Sequence, residues 1–351
     1  MTLAAPFPYF GGKRRAAPII WDALGDPGGY VEPFAGSAAV LLARPAVIGK
    51  RVETLNDADG WLVNAWRSIQ LSPDEVAKHC EWPVTEIDYH ARLAWLQARR
   101  DADFVAWLEG DPEHHDAKAA AWWLYVCACG IGDPWGSGPW RVVDGHLRKA
   151  GDAGRGVNRE LPHLGDAGRG VNRELPHLGD AGQGVNRELP HLGNAGQGVN
   201  RELPHLGNAG QGYDAPLRAY MQALSARLRD VRITCGDWAR VVTPSVMRAT
   251  RGGDGSVGIL LDPPYTTGGD MYGHVDADVS HAVRGWCRTA NASLRIVLCG
   301  FEDDHDELLP RGWRKVQGKG GSGYSTDRKA HKRERLWLSP ACLGAQMELG
   351  L

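Results

Sequence analysis

A short segment with an acid, two prolines and a tyrosine carries the residues best suited to chemistry in this chain. It reads Asp262-Pro263-Pro264-Tyr265 and follows an apolar run, residues 257–261, which predicts a buried parallel strand that the prolines end. Open α/β sheets bind ligands at that end of a strand, where Asp262 and the Pro263 carbonyl can accept hydrogen bonds from an amino group. Tyr265 can stack on the ring that carries the amino group. The segment therefore predicts a site for a planar, amine-bearing ring, and a simple strand-ending turn is the alternative.

Two glycine-containing segments near the amino terminus can bring the backbone close to a second ligand. Gly12 precedes Lys13, which supplies a point positive charge, and a helix is predicted from residue 14 to residue 24. The segment that begins at residue 30 predicts a strand, a small-residue turn with Gly36 and Ser37, and a helix that runs to about residue 44. A glycine turn before a helix allows close contact with the polar groups of a ligand. A surface lysine after a turn is the alternative for Lys13.

Two acids follow further predicted strands. Asp57 ends the strand predicted over residues 52–57, and Asp237 comes shortly after the strand predicted over residues 231–235. The carboxylate of Asp57, at the end of its strand, suits a ribose diol, as such an acid does in dinucleotide-binding folds. Helix capping is the alternative for Asp57, whereas Asp59 is more simply an acid at the start of the next helix.

In this order the segments resemble the Dam-type (alpha-group) adenine-N6 DNA methyltransferases, over about residues 5–70 and 213–340. The resemblance implies an α/β fold with a Rossmann-like methyltransferase sheet, helices on both of its faces, and S-adenosylmethionine as the cofactor. Lys13 would meet the methionine carboxylate, Asp57 the ribose, and Asp237 the adenine amino group of the cofactor. Ala38 departs from the family pattern, which has a second glycine there. The full implied set of cofactor contacts is Tyr9, Gly12, Lys13, Phe34, Gly36, Ser37, Asp57 and Asp237.

The activity that the resemblance implies is methyl transfer to N6 of adenine in double-stranded DNA, by base flipping and direct transfer. It needs no metal, and its catalytic residues would be Asp262, Pro263, Pro264 and Tyr265. Similar amino-group chemistry leaves a cytosine-N4 or an RNA adenine methyltransferase open, and a non-catalytic DNA-binding module is the alternative from another class. A P-loop nucleotide hydrolase is disfavoured, because the motif around Lys13 lacks the upstream glycine and the following Ser or Thr.

The order of the segments also predicts the domain organisation. A catalytic domain would consist of residues 1–70 and 213–351, with residues 71–212 inserted as a target-recognition region. The insertion begins with helical periodicity, and Ser72 is placed to cap its first helix. Further helical runs are predicted near residues 88–108 and 117–129. The family's landmarks for target choice are not recognisable there, so no target sequence carries over.

A fourteen-residue tandem repeat occupies residues 151–212. Each copy in its longest form has only one valine and two leucines to bury, which predicts short β-arcs or extended loops rather than a self-supporting core. The acids of each copy nearly cancel its bases, and the recurring histidines are too far apart for a local metal site. A role in recognition and an inert insert are both open. Copies begin at Gly151, Gly165, Gly179 and Gly193, and a partial copy begins at Gly207.

Positive charge is concentrated near the carboxyl terminus, in residues 311–337. The whole chain carries a formal charge of −2, so any nucleic-acid footprint must be local. Glycines between residues 318 and 323 would let this segment follow a phosphate backbone. A solvated basic hairpin is the alternative. The DNA contacts predicted here are Lys319, Arg328, Lys329, Lys332 and Arg333.

Composition predicts a cytoplasmic protein with no membrane partner. The seven cysteines form no CxxC pair, which favours free thiols in a reducing compartment. The amino terminus lacks the pattern of a signal peptide. The longest apolar run, residues 119–129, is too short to span a bilayer and predicts a core helix.

Overall fold

A computed structural model describes how eleven strands and ten α-helices are arranged in the described part of the chain. The described residues are 3–7, 12–45, 51–81, 85–100, 102–129, 140–143, 146–149, 184–186, 198–200, 214–252, 254–264, 277–318 and 333–344. The strands are β1 (Gly29–Glu32), β2 (Val52–Asp57), β3 (Trp140–Val143), β4 (His146–Lys149), β5 (Gly184–Asn186), β6 (Gly198–Asn200), β7 (Val231–Cys235), β8 (Val257–Leu261), β9 (Arg295–Phe301), β10 (Arg314–Gln317) and β11 (Glu334–Leu338). The helices are α1 (Ala17–Leu24), α2 (Ala39–Leu42), α3 (Gly60–Leu71), α4 (Pro73–Cys80), α5 (Glu86–Gln97), α6 (Ala102–Gly110), α7 (Ala117–Cys129), α8 (Asp214–Leu228), α9 (Pro244–Thr250) and α10 (Ala277–Thr289).

Seven of the strands form one mostly parallel sheet, in the order β10-β11-β9-β8-β1-β2-β7. The five strands from β9 to β7 in this order are parallel to their neighbours, whereas β11 is antiparallel to β9 and β10 is antiparallel to β11. The carboxyl ends of the parallel strands therefore share one edge of the sheet, which also receives the amino end of β11. This mixed α/β architecture is compatible with the expected Rossmann-like methyltransferase sheet.

Helices cover both faces of the sheet. In β8, Ile259 and Leu261 pack in a hydrophobic cluster with residues of α9 and α10, whereas Leu260 packs in a second cluster with residues of α1, α3 and α8. In β9, Ile296 belongs to the first cluster and Val297 to the second. Because successive side chains of a strand point to opposite faces, the two clusters lie on opposite sides of the sheet. All five residues of β8 are buried, as a central parallel strand requires.

The first helices are shorter than the sequence indicated, and proline explains both differences. A single helix was expected from residue 14 to 24, but a 3₁₀ turn over Lys13–Arg15 precedes α1. Pro18 lies in the first turn of α1, where its missing N–H is harmless, and it disfavours an α-helix that begins further back. The helix expected to run to about residue 44 ends at Leu42, ahead of Pro45.

Of the helices between residues 71 and 129, α4, α6 and α7 pack against α3 or α8, and α5 packs against α7. All four contribute to the hydrophobic cluster of α3 and α8. The run expected near residues 88–108 is two helices, α5 and α6, because the backbone tightens after Gln97 into bonds from Arg99 and Arg100 to carbonyls three residues back. Ser72 stands at the cap position of α4, but its hydroxyl makes no capping bond and lies 2.9 Å from Nε2 of His115. The predicted cap position is therefore confirmed, but the serine side chain makes no capping hydrogen bond.

Two short strands occur within the tandem repeats. β5 and β6 pair in parallel, with Gly184 opposite Gly198 and Asn186 opposite Asn200. The paired residues are one fourteen-residue period apart in the sequence, so the Gly-Val-Asn segments of two successive copies lie side by side. The remaining repeat residues lie outside the described part of the chain. Ahead of the repeats, β3 and β4 form an antiparallel pair.

All seven cysteines are free thiols, and six of them are buried. Within the described ranges, no helix combines the length and the apolar character needed to cross a membrane.

Candidate active site at the carboxyl edge of the sheet

The segments that follow β1, β2 and β8 meet at one edge of the sheet because these three strands are parallel neighbours. Val31 of β1 lies between Thr54 of β2 and Ile259 of β8 in the hydrogen-bonded register. The turn after β1, the acid that ends β2 and Asp262 after β8 therefore lie at the same edge. Asp262 and Pro264 are partly exposed there, whereas Pro263 is buried.

Asp57 holds the turn after β1 in place. Its Oδ2 accepts a hydrogen bond from the Gly36 N–H at 3.0 Å, and its Oδ1 accepts one from the Asp59 N–H at 3.0 Å. The carbonyl of Gly36 in turn accepts a bond of 2.9 Å from the indole of Trp66 in α3. Partial burial raises the pKa of Asp57 to about 6, although the two N–H donors oppose the shift. Asp59 caps α3, as the sequence predicted.

Ala38 occupies a conformation that usually needs glycine. Its φ of 49° and ψ of 27° are left-handed, and Gly36 nearby has a φ of 45°. The family pattern has a glycine at the position of Ala38, because glycine adopts this conformation without steric cost. The backbone here keeps the tight turn with alanine instead.

Asn56 connects two turns by hydrogen bonds, although it was not among the predicted site residues. Its side-chain amide donates to the carbonyl of Pro33 at 3.0 Å and to the carbonyl of Gly236 at 2.9 Å. Its backbone carbonyl accepts from the N–H of Ala35 at 2.9 Å. The turns after β1 and β7 are thus fixed relative to β2. The sign of this role in the sequence was an asparagine directly before the strand-ending acid Asp57.

Lys13 brings Asp262 and Glu334 together. The Lys13 ammonium lies 2.7 Å from Oδ2 of Asp262 and 2.9 Å from Oε1 of Glu334. Burial lowers the pKa of Lys13, but the two carboxylates outweigh that effect, and the net result is a raised pKa and a stable positive charge. Two carboxylates around one ammonium leave an excess of negative charge at this edge. Lys13 and Asp262 were predicted to belong to one site, whereas Glu334 was not among the predicted site residues.

Cys299 of β9 borders the same group. Leu261 pairs with Leu298, so the next residues along the two strands, Asp262 and Cys299, lie side by side. Burial, the charge of Asp262 and a hydrogen bond to that carboxylate raise the pKa of the Cys299 thiol. The thiol therefore stays protonated and donates to Asp262 rather than acting as a nucleophile.

Glu32 is a second buried acid behind the turn. Its Oε1 accepts bonds from the hydroxyl of Tyr30 at 2.6 Å and from the N–H of Leu41 at 2.8 Å. Burial raises the pKa of Glu32 to about 8, although these donors oppose the shift. At neutral pH the side chain is mainly a neutral acid.

Phe34 and Asp237 lie near each other on the β7 side of the edge. The ring of Phe34 stacks on Trp238 with centroids 6.1 Å apart. The carboxylate of Asp237 accepts from the N–H of Ala239 at 2.8 Å and caps a short 3₁₀ helix, Trp238–Val241. Ser37 is buried in the turn after β1. The roles predicted for these residues toward a cofactor stay predictions.

Several predicted site residues lie outside the described part of the chain: Tyr9, Tyr265, Lys319, Arg328, Lys329 and Lys332. Arg333 is described, and its guanidinium pairs with Glu302 at 3.1 Å. Among the residues that the structure describes, no group of three or more His, Cys, Asp or Glu side chains is arranged to hold a metal ion.

A protein-family model matches the first part of the chain. Residues 9–99 match the family model of the D12 class N6 adenine-specific DNA methyltransferases. The matched segment is about a quarter of the chain and contains Lys13, the turn after β1, and Asp57. No curated protein matches the chain. The match supports a relationship to the DNA adenine methyltransferases and indicates a methyltransferase enzyme.

Proposed function

We propose that this protein transfers a methyl group from S-adenosylmethionine to the N6 amino group of adenine in double-stranded DNA, in the manner of the Dam-type enzymes. The observation that carries the proposal is the meeting of Asp262, Lys13 and the turn after β1 at one sheet edge, within 2.7 Å for the first two. The family match over residues 9–99 supports the same reaction. The matched residues form the cofactor half of the edge, which consists of Lys13, the turn after β1 and Asp57. Asp262, after β8, belongs to the catalytic half.

The residues at this edge fit the chemistry of the cofactor. Each oxygen of Asp57 accepts one backbone N–H, and a carboxylate has about four lone-pair positions in all, so the group retains capacity for ribose hydroxyls. Phe34 offers an aromatic surface, and the excess negative charge around Lys13 favours a cationic ligand. Tyr9, Gly12, Ser37 and Asp237 complete the proposed binding set.

The catalytic residues act by orienting the substrate amino group. When bound, S-adenosylmethionine supplies an electrophilic methyl group on a positively charged sulfur. Asp262 and the carbonyl of Pro263 would each accept a hydrogen bond from the amino group of a flipped-out adenine, which directs the nitrogen lone pair toward the methyl group. Pro264 ends the strand so that these acceptors are not used by the sheet, and Tyr265 would stack on the base. The gain comes from orientation and electrostatics.

DNA binding is assigned to the basic segment near the carboxyl terminus, and Lys319, Arg328, Lys329, Lys332 and Arg333 are the proposed phosphate contacts. Residues 71–212 would form the target-recognition region, between the two stretches of the catalytic domain. Free thiols and a DNA substrate together favour the cytoplasm.

The test is methyl transfer by an Asp262→Ala variant of the full chain. We expect activity on duplex DNA to fall by at least about a thousandfold, while calorimetry shows S-adenosylmethionine binding within about threefold of wild type. Asp254→Ala is the matched control, because Asp254 lies just before β8, at the opposite end of the same strand, and accepts hydrogen bonds from the N–H groups of Gly28 and Ser256. This control should keep activity within about threefold.

Mass analysis of the methylated nucleosides decides among the alternatives. N6-methyladenine in DNA supports the proposal, whereas N4-methylcytosine, or methylated adenine in RNA alone, would replace it. A wild-type protein that binds DNA but does not bind S-adenosylmethionine would be a non-catalytic module. Full activity in Asp262→Ala would remove that residue from the mechanism.

A further inference from the structure

Glu334 is a buried acid at the same edge of the sheet as Asp262, and the proposed chemistry does not use it. It is the first residue of β11 and pairs with Phe301 of β9. Because β11 runs antiparallel to β9, its amino end lies at the edge where the parallel strands have their carboxyl ends. A charged side chain in a strand this close to the core needs a partner, since burial of an unpaired charge is costly. Its partner is Lys13.

Lys13 links Glu334 to the proposed catalytic acid. The side chains of Lys13 and Glu334 are only 4% and 7% exposed, whereas that of Asp262 is 21% exposed. Asp262 is therefore the member of this group that is most accessible to a substrate. Lys13 and Glu334 are more deeply buried than Asp262. Lys13 belongs to the 3₁₀ turn before α1, and Glu334 belongs to β11.

We propose that Glu334 is a positioning residue for methyl transfer: it holds the Lys13 ammonium, which in turn fixes the Asp262 carboxylate in the orientation that accepts the substrate amino group. This inference rests on the proposed function. It assigns Lys13 to the catalytic half of the edge, beside Asp262, rather than to the methionine carboxylate of the cofactor. The Lys13 ammonium already pairs with two carboxylates, so it attracts a third carboxylate less strongly.

The first test is Glu334→Gln in the full chain, which keeps the shape and removes the charge. We expect kcat for methyl transfer to fall about 10- to 100-fold, because a small misplacement of an orienting group is costly, while the Kd for S-adenosylmethionine changes less than about threefold. Glu334→Asp, which keeps the charge on a shorter side chain, should fall between this variant and wild type.

Glu53→Gln is the matched control. Glu53 is also buried and also pairs with two cations, Arg44 and Arg227, but it lies near the amino end of β2, on the opposite edge of the sheet. This variant reports what the loss of a buried ion pair does to the fold alone. We expect it to lower the Tm at least as much as Glu334→Gln does, with little change in kcat.

A double-mutant cycle tests whether Glu334 acts through Lys13. In a Lys13→Met background, Glu334→Gln should reduce kcat by less than about twofold further, since the residue it positions is gone. Independent, multiplicative losses would overturn the proposal, and so would wild-type kcat in Glu334→Gln or equal kcat losses in the Glu53 control.

Crystal structures separate this proposal from the proposed function. If wild-type protein methylates no adenine, the function fails by itself. The positioning role then stands if Lys13 Nζ moves away from Asp262 in the Glu334→Gln crystal structure, and falls if the 2.7 Å contact is unchanged.

Discussion

Glu32 and Asp57 show how the sheet edge changes the acid–base behaviour of single residues. Both have pKa values raised by burial, to about 8 and about 6 respectively. Asp57 keeps two N–H donors and partial exposure, so its shift is the smaller of the two. Glu32 is almost fully buried, which makes the neutral acid the favoured form at physiological pH.

Glu32 makes stability depend on pH in a defined direction. Its folded pKa of about 8 lies above the ordinary 4.5, so the folded protein retains a proton that the unfolded chain releases. The free energy of unfolding is therefore highest below pH 4.5, as far as this group is concerned, and falls as the pH rises toward 8. Glutamine mimics the neutral acid, because its amide oxygen can accept from Tyr30 and Leu41.

We expect Glu32→Gln to be more stable than wild type by on the order of 2 kcal/mol at pH 8, with a much smaller difference at pH 5. Urea unfolding at the two pH values measures both. Glu75→Gln is the control, because Glu75 is exposed and has a lowered pKa, so it does not titrate in this window. Parallel pH curves for wild type and Glu32→Gln would contradict the assignment.

At the scale of elements, the turn after β1 is fixed by other parts of the fold, whereas the described repeat strands pair with each other. The turn after β1 is fixed by side chains from β2 and α3, which even hold Ala38 in a left-handed conformation. The paired strands β5 and β6 come from successive copies of the repeat and are offset by one period. A unit that pairs with its own copy can be removed without changing the chemistry of the pairing.

We expect deletion of one whole repeat, residues 179–192, to leave the Tm within about 3 °C of wild type, because the next copy supplies the same Gly-Val-Asn segment. A seven-residue deletion, residues 179–185, is the matched control, since it breaks the period. Calorimetry compares the two. DNA-binding measurements on the whole-repeat deletion then show whether the repeats contribute to recognition or are inert.

At the scale of the whole molecule, some basic side chains of residues 311–337 already bind other parts of the protein and are therefore less available to DNA than the composition indicated. Lys315 pairs with Asp303 at 3.0 Å and Asp306 at 2.7 Å, and Arg314 bonds to carbonyls near the carboxyl terminus. These acids come from residues outside the counted segment, so a charge count over residues 311–337 overstates the local positive charge. The proposed DNA contacts are thereby concentrated in residues 319–333.

We expect a Lys329→Gln, Lys332→Gln double variant to weaken DNA binding and to reduce the slope of log K against log salt by about 2, close to 0.9 for each lost phosphate contact. Lys315→Gln should leave the slope unchanged, because its charge is already offset by two aspartates. Filter-binding or anisotropy titrations between 50 and 200 mM salt measure this. Equal slopes for wild type and the double variant would remove these lysines from the footprint.

The sequence by itself determined the central strands and much of the edge. Residues 257–261 are an apolar run that is followed by an acid and prolines. Residues 52–57 and 231–235 are mixed segments with β-branched residues, and an acid ends the first and a glycine follows the second. Each of the three is a strand with the predicted bounds. Such signals are local, because the strand and its end are adjacent in the chain. The family resemblance implied that Asp262 and Lys13 belong to one site, and their charged atoms lie 2.7 Å apart.

Only the tertiary structure decided which polar groups stabilise that edge. Glu334 reaches Lys13 because β11 is antiparallel, and Asn56 joins the turns after β1 and β7 because β2 lies between those strands. Residues so far apart in the sequence carry no shared periodicity or motif. Their pairing follows from strand order and direction, which depend on how the whole chain is connected and packed rather than on local sequence.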